Sequence, residues 1–151
     1  MDERLFFLLT RAQRRLADLA QAGLADLGVT PTQAGALFAI PPEGEKSIGA
    51  LALALSLAQS AASGLAQRLE KLGLIAISPD PADARKSQLH LTAHGLAIRA
   101  QALARTRDFN RALARDLKPA DLAIVLSWLN SLVSSFEHGQ SHDRTRHSAS
   151  N

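Results

Sequence analysis

Apolar residues recur along this chain at three- and four-residue steps in four stretches, the spacing that gathers side chains on one face of a helix. Over 2–27 the stripe consists of Leu5, Leu8, Leu9, Ala12, Leu16, Leu19, Ala20 and Leu27, with Arg4, Arg11, Arg14, Arg15 and Asp18 elsewhere on the barrel. Gly28 is expected to stop this helix. Its apolar face is wider than a small domain needs, so part of it is expected to meet a partner subunit. The next helix begins at a capping box, with Thr30 as N-cap, Pro31 at the first helical position and Gln33 reaching back. It runs to about Ile40, where Pro41-Pro42 breaks it. Ser47 is the cap expected for a helix over 48–55. The alternating Leu51, Ala52, Leu53, Ala54 and Leu55 also fit a strand, but alanine is the best helix former and a poor strand former.

Over 59–72, Ala62, Leu65, Leu69 and Leu72 predict a buried face, and Gly73 predicts a left-handed stop. The opposite face carries Gln59, Ser60, Ser63, Gly64 and Gln67, small or amide residues able to reach base edges in a major groove. Two apolar-rich runs of strand length follow, 74–77 and 88–91. The segment 79–87 between them holds two prolines and clustered charges, so it predicts a projecting hairpin loop rather than a continued ladder.

Thr92 is expected to cap a long helix reaching Asp116, with Leu96, Ala100, Leu103, Phe109, Leu113 and Leu117 buried. Arg99, Arg105, Arg107, Arg111 and Arg115 give it a basic face, which either contacts DNA phosphates or pairs with acids of a neighbouring helix. Pro119 opens a last helix whose stripe of Leu122, Val125, Leu126, Leu129, Leu132, Val133 and Phe136 needs a groove to lie in; a second copy's N-terminal helix is the expected partner. From His138 the composition turns polar without an apolar period, predicting a disordered tail.

The segment RLEKLGLIAISPDPADARKSQLHLTAHG resembles the reading helix and wing of the multiple-antibiotic-resistance regulator (MarR) family. The matching features are the RLEKxGL helix end, the DPxDxR wing and the LTxxG opening of the next helix, in order and at the family's spacing. The resemblance in element order spans about residues 1–136. It implies a mainly α protein with a small β-hairpin wing: a winged helix-turn-helix over 29–95, a helical dimerisation region over 1–28 and 96–137, and the tail 138–151. It also implies a homodimeric transcriptional regulator, read here as a repressor, that binds double-stranded DNA and is often released by a small aromatic or amphipathic ligand. In this reading Ser60, Ser63 and Gln67 read bases, Gln59 and Arg68 sit on phosphates, and Arg85 with Lys86 enters the minor groove, whose narrow A·T-rich form attracts arginine. Asp83 is expected to orient the Arg85 guanidinium by a charge-assisted pair. Two-fold symmetry predicts a pseudo-palindromic operator with half-sites roughly 34–36 Å apart. Three positions depart from the family pattern: Ser56 where glycine is usual, Ala58 where a Ser or Thr cap is usual, and Gly64 where arginine is frequent.

Composition narrows this further. The 151 residues amount to one domain's worth of chain, and the absence of cysteine excludes a disulfide framework, a thiolate metal site and the family's cysteine-based peroxide sensing. The net charge of +3 leans toward a polyanion without demanding one. Acidic Asp2 and Glu3 and the short apolar run 6–9 predict neither a signal peptide nor a membrane span, so a cytoplasmic protein is expected. No nucleophile–base arrangement, phosphate-cradling loop or paired carboxylates point to an enzyme, and no cofactor is expected. Two rival readings remain. One is a dimeric winged-helix interaction module with weak or no DNA binding, motivated by Ser56, Ala58, Gly64 and a nearly balanced reading region. The other is a metal-responsive regulator, motivated by His90 and His94 and by His138, His142 and His147. Phe6, Phe7, Phe38, Phe109 and Trp128 either line an effector pocket or are core.

Overall fold

The structure, a computed structural model, describes the backbone of residues 4–143 and the side chains of residues 4–134. Its elements, in chain order, are α1 (Leu5–Leu24), a 3-10 turn (Ala25–Leu27), α2 (Pro31–Ala39), β1 (Lys46–Ser47), α3 (Ile48–Ala54), α4 (Gln59–Lys71), β2 (Ile75–Pro79), β3 (Ser87–Leu91), α5 (Ala93–Ala114) and α6 (Pro119–Asp143). The chain divides within α5 into two compact units, residues 1–109 and 110–151.

In the first unit the largest fully buried side chains are Leu37, Ile40, Leu51, Leu65, Leu69, Ile75 and Leu89. They come from α2, α3, α4, β2, β3 and the residue capping α2, so the helix-turn-helix and the hairpin share one core. Each such side chain stabilises the fold by about 1.5–3 kcal/mol relative to exposure.

Sequence signals set the local ends of these helices. Thr30 Oγ1 accepts from the Gln33 N–H at 3.2 Å while Gln33 Oε1 accepts from the Thr30 N–H at 2.8 Å, closing the capping box. Ser47 Oγ accepts from the Ala50 N–H at 3.1 Å and starts α3. The helix reading of 48–55 therefore holds, because the cap and alanine outweigh the alternation.

Helices α3 and α4 end in the same way. Leu57 N–H donates to Ala52 O after α3, and Leu74 N–H donates to Leu69 O after α4, a six-residue closure that needs a left-handed residue at the turn. Gly73 supplies it at φ 69°, and Ser56 supplies it at φ 51°. A side chain in that region costs about 1–2 kcal/mol, so the Ser56 departure is accommodated with strain. Ala58 stands as N-cap of α4 without a side-chain bond.

The sheet has three antiparallel strands in the order β1-β3-β2. Two residues, Lys46 and Ser47, pair with Leu89 and Gln88, a strand too short to leave any period in the sequence. Along β2 the pairing runs from Ile75↔Leu91 to Pro79↔Ser87, so Pro79 ends the ladder instead of lying in the loop as expected. The bonds Asp80 N–H to Lys86 O and Thr92 N–H to Leu74 O fix the phase of this ladder. They turn the backbone donors of 75, 77 and 79 away from β3, because antiparallel bonding alternates residue by residue. Position 79 faces the open edge, where a missing N–H costs nothing.

Helix α5 buries a face other than the one expected. Gly95, Ile98 and Ala102 are buried, whereas Leu96, Leu113 and Leu117 are exposed and Leu103 and Phe109 half-buried. The helix starts against the end of α4: Thr92 Oγ1 donates to Gly73 O at 2.7 Å and accepts from the Gly95 N–H at 2.9 Å. That closeness selects the small residues. On α4, Leu72 is 46% exposed and Ala66 takes the place expected for it. In the second unit α6 continues past His138 to Asp143, so the segment expected as a tail begins as helix; residues 144–151, including His147, lie outside the described residues. No single described helix is long and apolar enough to cross a membrane.

Candidate nucleic-acid interface

The exposed side of α4 presents two rows of side chains spaced four apart. One is Gln59, Ser63 and Gln67; the other is Ser60, Gly64 and Arg68. The first row borders the wing. Gln59 and Ser63 line an open cleft of about 450 Å³ together with Arg85, Lys86 and Ser87 of the hairpin and Ser47, Ile48 and Gly49 at the start of α3. The fold thus brings four of the expected residues, Gln59, Ser63, Arg85 and Lys86, around one concave surface.

Arg68 lies elsewhere. It lines a second cleft with Ala17 and Gln21 of α1, Leu65, and Thr30, Pro31, Thr32 and Gln33 at the start of α2. Its guanidinium folds back over the bare Gly64, whose built Cβ would stand 3.4 Å from Arg68 Nη1. Gln59 and Arg68, expected to share the phosphate role, therefore belong to opposite flanks of the helix. Ser60 and Gln67 are exposed on α4.

The hairpin loop is ordered by its own aspartates. Asp80 Oδ1 accepts from the Ala82 N–H and Asp80 Oδ2 from the Gln88 amide, both at 2.8 Å. The Ala82 N–H, ahead of the Gln88 contact, holds the Asp80 carboxyl below its ordinary pKa. Asp83 does not pair with the Arg85 guanidinium as expected. Its Oδ1 accepts from the Arg85 backbone N–H at 3.1 Å, and its Oδ2 lies 4.0 Å from Lys86 Nζ. A two-residue spacing in a turn favours this side-chain-to-backbone closure, so Asp83 shapes the backbone under Arg85. Among the described residues the Arg85 guanidinium makes no ion pair, and it stays exposed at the tip.

Glu70, the one acid of α4, went unassigned in the sequence. Its Oε1 accepts from the Ile77 backbone N–H at 3.0 Å, joining the last turn of the helix to the wing. Its seven-residue separation from Ile77 crosses a turn, so no local pattern signals the bond.

The basic face of α5 is partly structural. Arg105 grips both oxygens of Asp26, at 2.8 and 2.6 Å, and donates to Gly23 O at 2.9 Å. The Arg105 bond holds the Asp26 carboxyl below its ordinary pKa. Arg99 Nε donates to Leu37 O at 3.0 Å. These bonds tie α5 to α1, the 3-10 turn and α2: Arg105 meets the acid of that turn, and Arg99 meets a backbone carbonyl. Beside Arg105 a small cleft of about 60 Å³ is lined by Leu19, Ala20, Gly23, Leu24, Thr106 and Phe109. Of the aromatic residues considered for a pocket, Phe109 alone lines it; Phe38 packs against the core, while Phe6 and Phe7 are exposed.

His90 Nε2 lies 3.0 Å from Ser78 Oγ and 3.7 Å from Glu45 Oε2, within the sheet and its lead-in. Among the described residues no three His, Cys, Asp or Glu side chains are grouped to hold a metal.

A helix pair with a capped turn, a sheet-borne wing and a continuous exposed surface across both define a winged-helix DNA-binding protein. Residues 27–86 match the MarR family model. The chain is 27% identical over 138 residues to the HTH-type transcriptional repressor NicR of Pseudomonas putida, covering 91% of this chain and 87% of NicR. Among solved structures it resembles Bordetella bronchiseptica BpsR, described for regulation of its DNA binding by 6-hydroxynicotinic acid. That match has 27% identity and TM-score 0.76 and covers 87% of this chain and 99% of that one. A probable transcriptional regulator from Pseudomonas aeruginosa matches at 30% identity and TM-score 0.77, over 87% of this chain and 98% of that one. The chain belongs to the MarR family of transcriptional regulators, and is not an enzyme.

Proposed function

We propose that the chain is a homodimeric repressor that reads a pseudo-palindromic operator with α4 in the major groove and the wing in the minor groove. The observation that carries this is the shared cleft of Gln59, Ser63, Arg85 and Lys86, which sets a groove-reading row and a cationic tip on one surface. Ser60, Ser63 and Gln67 supply donors and acceptors for base edges; Gln59 and Lys86 position on phosphates near the wing, and Arg68 does so on the far flank of α4. Residues 29–95 form the DNA-binding part, and 1–28 with 96–137 the dimerisation part. NicR's name as a repressor supports the sign of regulation.

Release by a small aromatic or amphipathic acid fits the same protein. BpsR is described as regulated by 6-hydroxynicotinic acid, and the likeness to it over 87% of this chain supports that reading. Gel shifts on duplex DNA upstream of the gene, over a series of salt concentrations and with or without 6-hydroxynicotinic acid, test the reading. Arg85→Ala should weaken binding across sequences and reduce the salt slope by about 1. An unchanged slope removes Arg85 from the interface, and no shift with the intact chain favours the interaction-module reading, which the uncapped Ala58 start of α4 motivates.

A further inference from the structure

The bond between Glu70 and Ile77 spans the turn that joins α4 to the wing. Strand β2 is an edge of the sheet, and the bonding phase fixed by Asp80–Lys86 and Leu74–Thr92 turns the Ile77 N–H outward. Glu70 Oε1 takes that donor at 3.0 Å. The link from helix to strand is short, Leu72, Gly73 and Leu74, and Gly73 sits in it at φ 69°. Leu65, Leu69, Ile75 and Leu89 hold helix and strand together through the core, and the Glu70 bond adds a tether at the sheet's edge. The only acid on the DNA-facing helix, which follows Gln67 and Ser63 at three- and seven-residue steps, is thereby engaged with the sheet edge.

We propose that Glu70 is a positioning residue for DNA binding: its carboxylate clamps the wing to the last turn of α4 and so fixes Arg85 relative to Gln59 and Ser63. The inference rests on the DNA-binding reading above. Ala is a better helix former than Glu, so Glu70→Ala removes the acceptor without weakening α4. Glu70→Gln keeps an acceptor oxygen and removes only the charge, which separates clamping from electrostatics.

Two measurements test it. Amide hydrogen exchange on the free protein should show faster exchange at Ile77 in Glu70→Ala, about fivefold to tenfold, with Leu69 and Leu89 unchanged and Glu70→Gln close to the parent. Binding is then measured by anisotropy on a labelled duplex enriched from a random library by the parent protein. Glu70→Ala should bind about fivefold to tenfold more weakly, and Glu70→Gln as well as the parent or better. The loss should largely disappear in an Arg85→Ala background, because a wing without its arginine has nothing to place. Unchanged exchange at Ile77, or losses from Glu70→Ala and Arg85→Ala that simply add, overturn the clamp. A parent protein that enriches no duplex overturns the DNA-binding reading instead, while the exchange experiment still judges the clamp.

Discussion

At position 95 one missing atom decides a junction. A Cβ built there would lie 1.8 Å from Leu74 O and 2.8 Å from its carbon, both backbone, so neither can turn aside. Gly95→Ala must pry α5 from the start of the wing. The expected cost is roughly 3 kcal/mol in urea unfolding, at the upper end for overpacking. A loss below about 1 kcal/mol would show that the two elements can part. The sequence displayed this glycine inside LTxxG but not its purpose, since the contact joins residues 21 apart. Thr30, Gln33 and Ser47 were legible because a cap acts over three residues. Ser56 was legible only as an oddity, and its φ of 51° explains what glycine would do there.

Among the elements, the wing owes its order to an ionised carboxyl within its own loop. Asp80 has a folded pKa below the ordinary 3.8, so its stabilisation is complete above that value and is lost as pH falls through the lower folded one. Asp80→Ala should therefore be less stable than the parent at neutral pH, with amides of 80–88 exchanging faster. The two proteins should converge once the pH has fallen below the lowered folded pKa, when the parent's carboxyl is protonated. A difference that persists undiminished in acid would assign the effect to packing instead. The hairpin was legible from its two apolar runs and the prolines between them. Three of its details were not. Strand β1 is too short to show a period, Pro79 could be placed only once the bonding phase was known, and Asp83 chose the near backbone donor over the guanidinium.

For the whole molecule, the apolar surface left open is the main unspent resource. In α1, Leu5, Phe6, Phe7 and Leu8 are each more than half exposed, with the two phenyl rings edge to face at 5.5 Å. In α6, Ile124, Leu126 and Val133 are likewise open, and Trp128 and Leu129 nearly so. Isolated soluble chains rarely leave such stretches bare. Sedimentation at micromolar concentration should give a dimer, and combining Phe7→Glu with Leu129→Glu should give the 16.1 kDa single chain. Loss of the second half-site contact should then lower DNA affinity by about a hundredfold. A double variant that still sediments as a pair would send the interface elsewhere. The stripes were readable from periodicity, but the same pattern in α5 misled, because which side of a helix is covered depends on neighbours distant in sequence. The open border of the sheet has one more consequence. With Ile77's donor occupied and Pro79 having none to offer, β2 cannot readily template a foreign strand, so crowded copies are shielded from fibril-like stacking along the very hairpin that must stay uncovered to work.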